Sequence, residues 1–301
     1  MISELKNICL LEENIDLKKY NTFKLESKGF CMVFPNDVDE LKNVLKVVKK
    51  YKSKYFVIGN GSNILLPSYY DGVIINLSKF NKYELKDNYV YAESGCMLNA
   101  LASKITNLGY AGLDFATGIP GTVGGSIYGN AGCFGSSMSK ILETVTIFDG
   151  KSIKELKNED MKFEDRSSIL KRTNKKWIIL SCKMRVEKSN VEELKELVKE
   201  RTNKRLATQD LSHPSNGSMF KNPVGYAAAG KLIDDLGLKG YKVGDAMVST
   251  IHANFIVNDG HATIDDVLRL VNKIKKDVKE AYGADLVLEQ EIIEWLLSLF
   301  L

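Results

Sequence analysis

Paired cysteines, clustered histidines and long apolar runs are all missing from this 301-residue chain, and each absence closes a class of function. The five cysteines, Cys9, Cys31, Cys96, Cys133 and Cys182, are odd in number, widely spaced and without a C-x-x-C pair. That argues against a disulfide framework or a zinc ribbon and leaves them as free thiols. The three histidines, His213, His252 and His261, do not fall at metal-ligand spacing from those cysteines, so no metal centre is expected and an organic cofactor is favoured. Nothing approaches the ~20 continuous apolar residues of a membrane span. The opening MISELKNICLLEEN carries acids where a signal peptide needs an apolar stretch, so a cytoplasmic protein without membrane insertion is expected. An excess of one charge is lacking too: 42 basic against 38 acidic residues leave +4. The lysines are spread over helix patterns such as LKNVLKVVKKYKSK, which is a solvated face rather than a nucleic-acid stripe, and small anionic ligands are the partners it allows. Neither G-x-G-x-x-G opening a βαβ unit nor G-x-x-x-x-G-K-[ST] occurs, which removes the nicotinamide-domain and P-loop fingerprints.

What is present is a globular chain, 44% apolar, long enough for two or three domains. DVDELKNVLKVVKKY places Val38, Leu41, Val44, Leu45 and Val48 on one stripe of a helix with an acidic first turn and a basic last turn. YFVIGNGSNILLP reads as a strand that breaks into a turn and resumes. Strands are expected at 72–77, 89–94, 144–148 and 177–186, a helix at about 97–108, and a charged connector helix in NVEELKELVKERTNKR. From about residue 206 a turn-rich stretch leads into a separate α+β domain: a helix around AAAGKLIDDLGL, strands in MVST and NFIVN, a long helix from TIDDVLRL, and a last strand DLVLEQEIIEW.

Two glycine-rich segments interrupt this regularity. GNGSN, Gly59, Asn60, Gly61, Ser62 and Asn63, follows an apolar strand directly, and GIPGTVGGSIYGNAG, residues 118–132, holds six glycines in fifteen positions. Glycine at that density implies unusual dihedrals or a ligand against the main chain. Each loop can aim backbone N–H groups into a concavity, and two such nests could hold a pyrophosphate from both sides. Gly118, Ile119, Gly121, Gly124, Gly125, Asn130, Ala131 and Gly132 are the candidates in the second; for GNGSN alone a hairpin turn is the plain alternative.

These two segments, with PSNGSMFKNP, GKLIDDLGLKG and HANFIVN further on, closely resemble the UDP-N-acetylenolpyruvoylglucosamine reductase family, from about Tyr20 to Trp295. The resemblance implies an α+β fold with a two-lobed FAD-binding region of the vanillyl-alcohol-oxidase type, residues 1–70 and 71–205, and a substrate-binding domain, 206–301. It implies noncovalent FAD, NADPH as electron donor, and reduction of a UDP-sugar enolpyruvyl ether in peptidoglycan precursor synthesis. By the same resemblance Arg166 in FEDRSS would stabilise the charge that develops on the substrate, Ser218 in GSMFKNP would deliver a proton to carbon, and Glu291 in VLEQEIIEW would assist at a second oxygen. Glu289, two residues earlier, is the alternative to Glu291, and Asn222 and Lys239 would contact substrate. The short interval from Arg166 to Ser218 fits the subgroup that lacks an extra tyrosine-bearing loop. The chain departs from the family pattern at Asp165, Thr208 and Ile293, where tyrosine, lysine and arginine are usual, which subtracts positive charge. A related FAD-dependent oxidase or dehydrogenase with another substrate, and a non-catalytic flavin-binding protein, are the competing readings.

Overall fold

The computed structural model describes residues 1–173 and 176–293. The strands that build its main sheets and position the site are, in chain order, β1 (Leu10–Asp16), β2 (Lys28–Phe34), β3 (Tyr55–Ile58), β4 (Ile64–Leu65), β5 (Tyr69–Asn76), β6 (Tyr83–Lys86), β7 (Tyr89–Glu93), β8 (Leu142–Phe148), β9 (Ile153–Lys157), β10 (Ile178–Arg185), β11 (Ser215–Ser218), β12 (Lys242–Val243), β13 (Ala246–Val248), β14 (Phe255–Asn258) and β15 (Glu291–Ile292). The principal helices are α1 (Val38–Lys50), α2 (Leu98–Asn107), α3 (Val123–Tyr128), α4 (Val191–Thr208), α5 (Ala229–Asp235) and α6 (Ile264–Tyr282).

Helix α1 starts where its sequence says it should. Asp37 accepts from the N–H groups of Asp39 and Glu40, and the stripe Leu41, Val44, Val47 and Val48 is buried. Helix α6 opens on a capping box between Thr263 and Asp266 and stops at Gly283, whose φ of 72° closes the last turn.

The residues divide into two compact units. One comprises Met1–Glu12, Cys31–Asn60 and Gly72–Asn203; the other comprises Glu13–Phe30, Gly61–Asp71 and Lys204–Leu301. The first holds a five-stranded antiparallel sheet of order β9-β8-β10-β7-β6. Its core includes Val90, Leu98, Leu101, Ile105, Phe115, Val123, Ile127, Val145 and Met184. A further four-stranded sheet has the order β1-β2-β5-β3, with β3 and β5 parallel. In the second unit the sheet order is β11-β14-β13-β12, and Phe23, Leu25, Leu65, Phe220, Val248, Val271 and Ile274 share its core. There β15 runs parallel to β4, pairing Glu291 with Ile64 and Ile292 with Leu65.

Three elements differ from the sequence reading. The glycine segment contains a helix, α3, because Thr122 caps it by accepting from Gly125 N–H at 3.2 Å. PSNGS, read as a turn, contributes β11, whose register against β14 shifts between Ser215 and Ser218. The C-terminal stretch is a strand only at β15. Before it the backbone bonds singly to the Met219 neighbourhood instead of forming a ladder, with Lys221 N–H donating to Val287 at 2.9 Å and Glu289 N–H to Met219 at 2.9 Å. Trp295 lies outside the described residues.

Candidate active site

The first glycine segment leaves strand β3 as an open turn. The N–H groups of Gly59, Asn60, Gly61, Ser62 and Asn63 donate to no protein acceptor among the described residues. Successive free N–H donors in one loop form the kind of concavity that takes anionic oxygens without a cationic side chain. That agrees with what a flavin dinucleotide's pyrophosphate requires. Gly61 itself is there for another reason. Its φ is +63°, and a Cβ built on it would stand 2.0 Å from the Tyr20 carbonyl oxygen.

In the second segment several of the N–H groups expected to form a nest are bonded within the protein. The N–H groups at the start of α3 are already taken: Val123 donates to the Cys96 carbonyl and Gly124 to that of Ser94, each at 2.8 Å, while Ser126 donates to Thr122 at 2.9 Å. The amides of Ile119, Asn130 and Ala131 are likewise bonded, to the carbonyls of Ala116, Ile127 and Ser126, and Gly121 O accepts from Leu98. Gly124 lets α3 lie against the chain at Ser94, whose Cβ would be 2.8 Å from an added methyl. Gly132, another cofactor candidate, does the same against Ser136 O, at 2.4 Å. Gly118 and Gly125 are exposed. Gly59 meets the segment at Thr122, where an added Cβ would be 2.6 Å from Oγ1. Two of the six glycines in this segment, Gly124 and Gly132, thus serve close packing of the protein upon itself.

Arg166 occupies a tight turn closed by reciprocal bonds between Glu164 and Ser167, at 3.0 and 3.2 Å. Its φ of +52° is unusual for a residue with a side chain and marks a position held by its surroundings. Asn130 does part of that holding. Buried at 7% exposure, it donates Nδ2 to the Glu164 carbonyl at 2.9 Å and accepts at Oδ1 from Ser139 N–H at 3.0 Å. Ser168 adds a bond to the Tyr128 carbonyl at 2.7 Å. The side chain of Asn130, expected to contact cofactor, is thus committed to bracing the turn of Arg166. Asn130→Ala removes both hydrogen bonds, and loss of the one to the Glu164 carbonyl should loosen that turn and lower turnover by on the order of tenfold, with flavin content unchanged; equal loss of flavin would return Asn130 to the cofactor.

Ser218 closes β11 and pairs with Phe255. The preceding residues are fixed by side chains that sequence reasoning passed over. Asn216, 7% exposed, donates to the Ile64 carbonyl at 2.6 Å and accepts from Thr22 Oγ1 at 2.7 Å. Gln290 donates to the Asn216 carbonyl at 2.9 Å and to that of Ser218 at 2.8 Å. Asn63 joins the first glycine segment to the C-terminal stretch: its Nδ2 donates to the Glu289 carbonyl at 3.2 Å, and its carbonyl accepts from Glu291 N–H at 3.0 Å. Both glutamates are half-buried. Ile293 continues this stretch, donating its N–H to Leu65 at 3.0 Å.

Three residues assigned separately by resemblance, Ser218, Asn222 and Lys239, line one cavity of about 340 Å³. Asn222 Oδ1 accepts from Ala229 N–H at the start of α5, at 3.0 Å, and Lys239 pairs with Asp234 at 2.9 Å. Lys231, His252 and Asn254 also line it and were not singled out by sequence, although HANFIVN carries two of them. Burial, reinforced by Lys239, holds the His252 imidazole below the usual histidine range, so the ring is neutral at pH 7. Asp210 braces the wall from behind. It is 1% exposed and accepts from Ser249 at 2.7 Å, Ser212 at 2.9 Å and His213 at 3.0 Å. Burial opposes its ionisation, but those donors, His213 first, bring it down to about 2. No group of metal-ligating side chains and no membrane-length apolar helix occurs among the described residues.

Comparison with known proteins supplies the context. A family model described as UDP-N-acetylenolpyruvoylglucosamine reductase, C-terminal domain, matches residues 209–293, and one described as FAD binding domain matches residues 31–152. The UDP-N-acetylenolpyruvoylglucosamine reductase of Caldanaerobacter subterraneus is 39% identical over 298 residues, covering 97% of this chain and 98% of its relative. That of Bacillus subtilis is 38% identical over 298 residues, with the same two coverages of 97% and 98%. The crystal structure of the reductase from Thermus caldophilus matches with a TM-score of 0.80 at 33% identity, over 94% of this chain and 99% of that one.

Proposed function

Since the chain belongs to the UDP-N-acetylenolpyruvoylglucosamine reductase family and is an FAD-dependent oxidoreductase, we propose that it reduces UDP-N-acetylglucosamine enolpyruvate to UDP-N-acetylmuramate in the cytoplasm, for peptidoglycan precursor synthesis. NADPH and the sugar nucleotide use the enzyme in turn. The observation that carries this reading is that Ser218, Asn222 and Lys239 line one cavity, whose volume is within the range of small-molecule sites. The division of the flavin region into lobes 1–70 and 71–205, ahead of a substrate domain 206–301, belongs to the same proposal.

The open N–H groups of residues 59–63 would hold the pyrophosphate of FAD, which when bound and reduced would supply the hydride; no cysteine or histidine stands in that loop for a covalent link. The chain's own residues handle charge and proton. Hydride addition to the terminal carbon of the enolpyruvyl group drives negative charge onto the carboxylate-bearing carbon and its oxygens. A permanently cationic, forked guanidinium suits that enolate, which is the role of Arg166. Its main chain lies in the left-handed region, at φ +52°, which sets the direction in which its Cα–Cβ bond leaves the turn. Glu291, or Glu289 in its place, serves a second oxygen as a hydrogen-bond donor when protonated. Ser218 gives a proton to carbon, a task open to a weak acid because the carbanion is strongly basic. Asn222, Lys239 and neutral His252 offer donors to the nucleotide's anionic and polar groups.

Two observations test the reading. Acid precipitation should release yellow FAD into the supernatant; colour left in the pellet, or FMN in solution, would refute the cofactor assignment. Anaerobic NADPH should bleach the holoenzyme, and UDP-N-acetylglucosamine enolpyruvate should restore the colour. Recolouring by oxygen alone would make the protein an oxidase of some other substrate.

A further inference from the structure

Gln290 stands between the two candidate glutamates with 5% of its surface exposed. Both partners of its Nε2, the carbonyls of Asn216 and Ser218, are acceptors only, so the nitrogen and not the oxygen of the amide faces them. The other end is a loss: Oε1 is buried without a donor among the described residues. A buried, unmatched amide oxygen opposes stability, so a plain core position would be better filled by an apolar side chain. What glutamine adds here is a pair of N–H donors on one uncharged nitrogen, long enough to span from the C-terminal stretch to two alternate carbonyls of β11.

The groups it joins are otherwise held separately. On one side Asn216 is fixed to Ile64 and Thr22, Gly217 sits at φ +75°, and Met219 N–H donates to Asn254. On the other, Glu289 N–H donates to Met219 and Glu291 N–H to Asn63. Gln290 is the side chain that crosses from the peptide carrying Glu291 to the carbonyl of Ser218 itself. We propose that Gln290 is a positioning residue for the reduction: it sets the main chain of Ser218, and with it the direction of the hydroxyl, relative to Glu291. This rests on the reading of Ser218 as the proton donor. Gln290 acts through Ser218 and needs no contact with substrate or flavin.

Gln290→Met keeps length and removes both donors; Gln290→Asn keeps the amide but draws it back by one methylene. In holoenzyme, reoxidation of reduced flavin by the sugar nucleotide should slow by ~10²-fold in the methionine variant, the cost of misplacing a reacting group by about an ångström. The asparagine variant should fall between that and the parent. Flavin reduction by NADPH and the dissociation constant of the sugar nucleotide from oxidised enzyme should stay within about threefold. Amide exchange at residues 216–219 should quicken by on the order of tenfold. Loss of both half-reactions together, or loss of flavin in both variants, would make Gln290 a folding residue and overturn the proposal. Ser218→Ala measured alongside separates the two claims. If it stops reoxidation while both Gln290 variants leave it unchanged, only the positioning role falls; if Ser218→Ala is itself harmless, the proton-donor assignment falls first and the positioning role with it.

Discussion

Ser218→Ala is expected to leave NADPH-driven flavin reduction near the parent rate while reoxidation by UDP-N-acetylglucosamine enolpyruvate drops by ~10²–10⁴-fold, the range of general-acid contributions. Hydride transfer to flavin needs no proton from Ser218, whereas completing the enolpyruvyl reduction requires one at carbon. The loss should lie toward the upper end, because the other side chains that share the cavity are poor substitutes. The His252 ring is already neutral at pH 7, and the Lys239 ammonium is paired to Asp234 at 2.9 Å. Truncating the hydroxyl should not disturb the loop, whose main chain is held at Asn216 and at the Ser218 carbonyl rather than through Oγ. Rapid mixing of the two half-reactions decides the matter. Equal losses in both would make Ser218 a structural residue, and no loss in either would move the proton donor elsewhere.

Gly61→Val and Gly124→Val should damage the fold before they touch the cofactor. At Gly61 a Cβ would lie 2.0 Å from the Tyr20 carbonyl oxygen and 2.8 Å from the Asn21 Cα, and the φ of +63° is hostile to a β-branched residue. At Gly124 the obstacle is Ser94, with Cβ at 2.8 Å and O at 3.2 Å, in the packed core under α3. Overpacking costs typically about 1–3 kcal/mol, and backbone strain at Gly61 adds about 1–3 kcal/mol. The apo form of each variant should therefore melt well below the parent apo form. Gly125→Ala is the contrast, since its Cβ meets only Thr122 Oγ1, at 3.3 Å. Apo stability equal to the parent in both valine variants, with flavin lost, would return those two glycines to the ligand and contradict the packing argument.

The sequence was most legible where the signal is local. The extent of α1, the periodicity of α6 and the apolar runs of β5, β7, β8 and β10 each depend on residues a few positions apart, so those elements stand where the pattern put them, although in α1 Val47 is buried where Val38 and Leu45 were expected. Family resemblance added an identity that the composition could only bound. The purpose of the glycines was not legible, because an open anion nest and a close-packed turn demand the same absence of Cβ. Only the neighbours distinguish them: Tyr20 against Gly61 and Ser94 against Gly124 are 41 and 30 residues away in the chain. The last strand was over-read for a similar reason, since alternation in DLVLEQEIIEW describes a half-buried extended chain whether or not a ladder partner exists.

The unit boundaries show the same limit. Segments 13–30 and 61–71 pack with the C-terminal third, which no shift of composition along the chain announces. Of the residues that brace the candidate site, Asn130 behind Arg166 read in sequence as a cofactor contact and Gln290 behind Ser218 as an ordinary strand residue. Their roles arise from bonds to carbonyls 34 and 72 positions away. A sequence displays a side chain's chemistry and its near neighbours, and by itself it determined the family and the cofactor class. Which hydrogen-bonding groups remain open to a ligand, and which are consumed in holding the fold, is set by contacts between distant segments, and that only the tertiary structure decided.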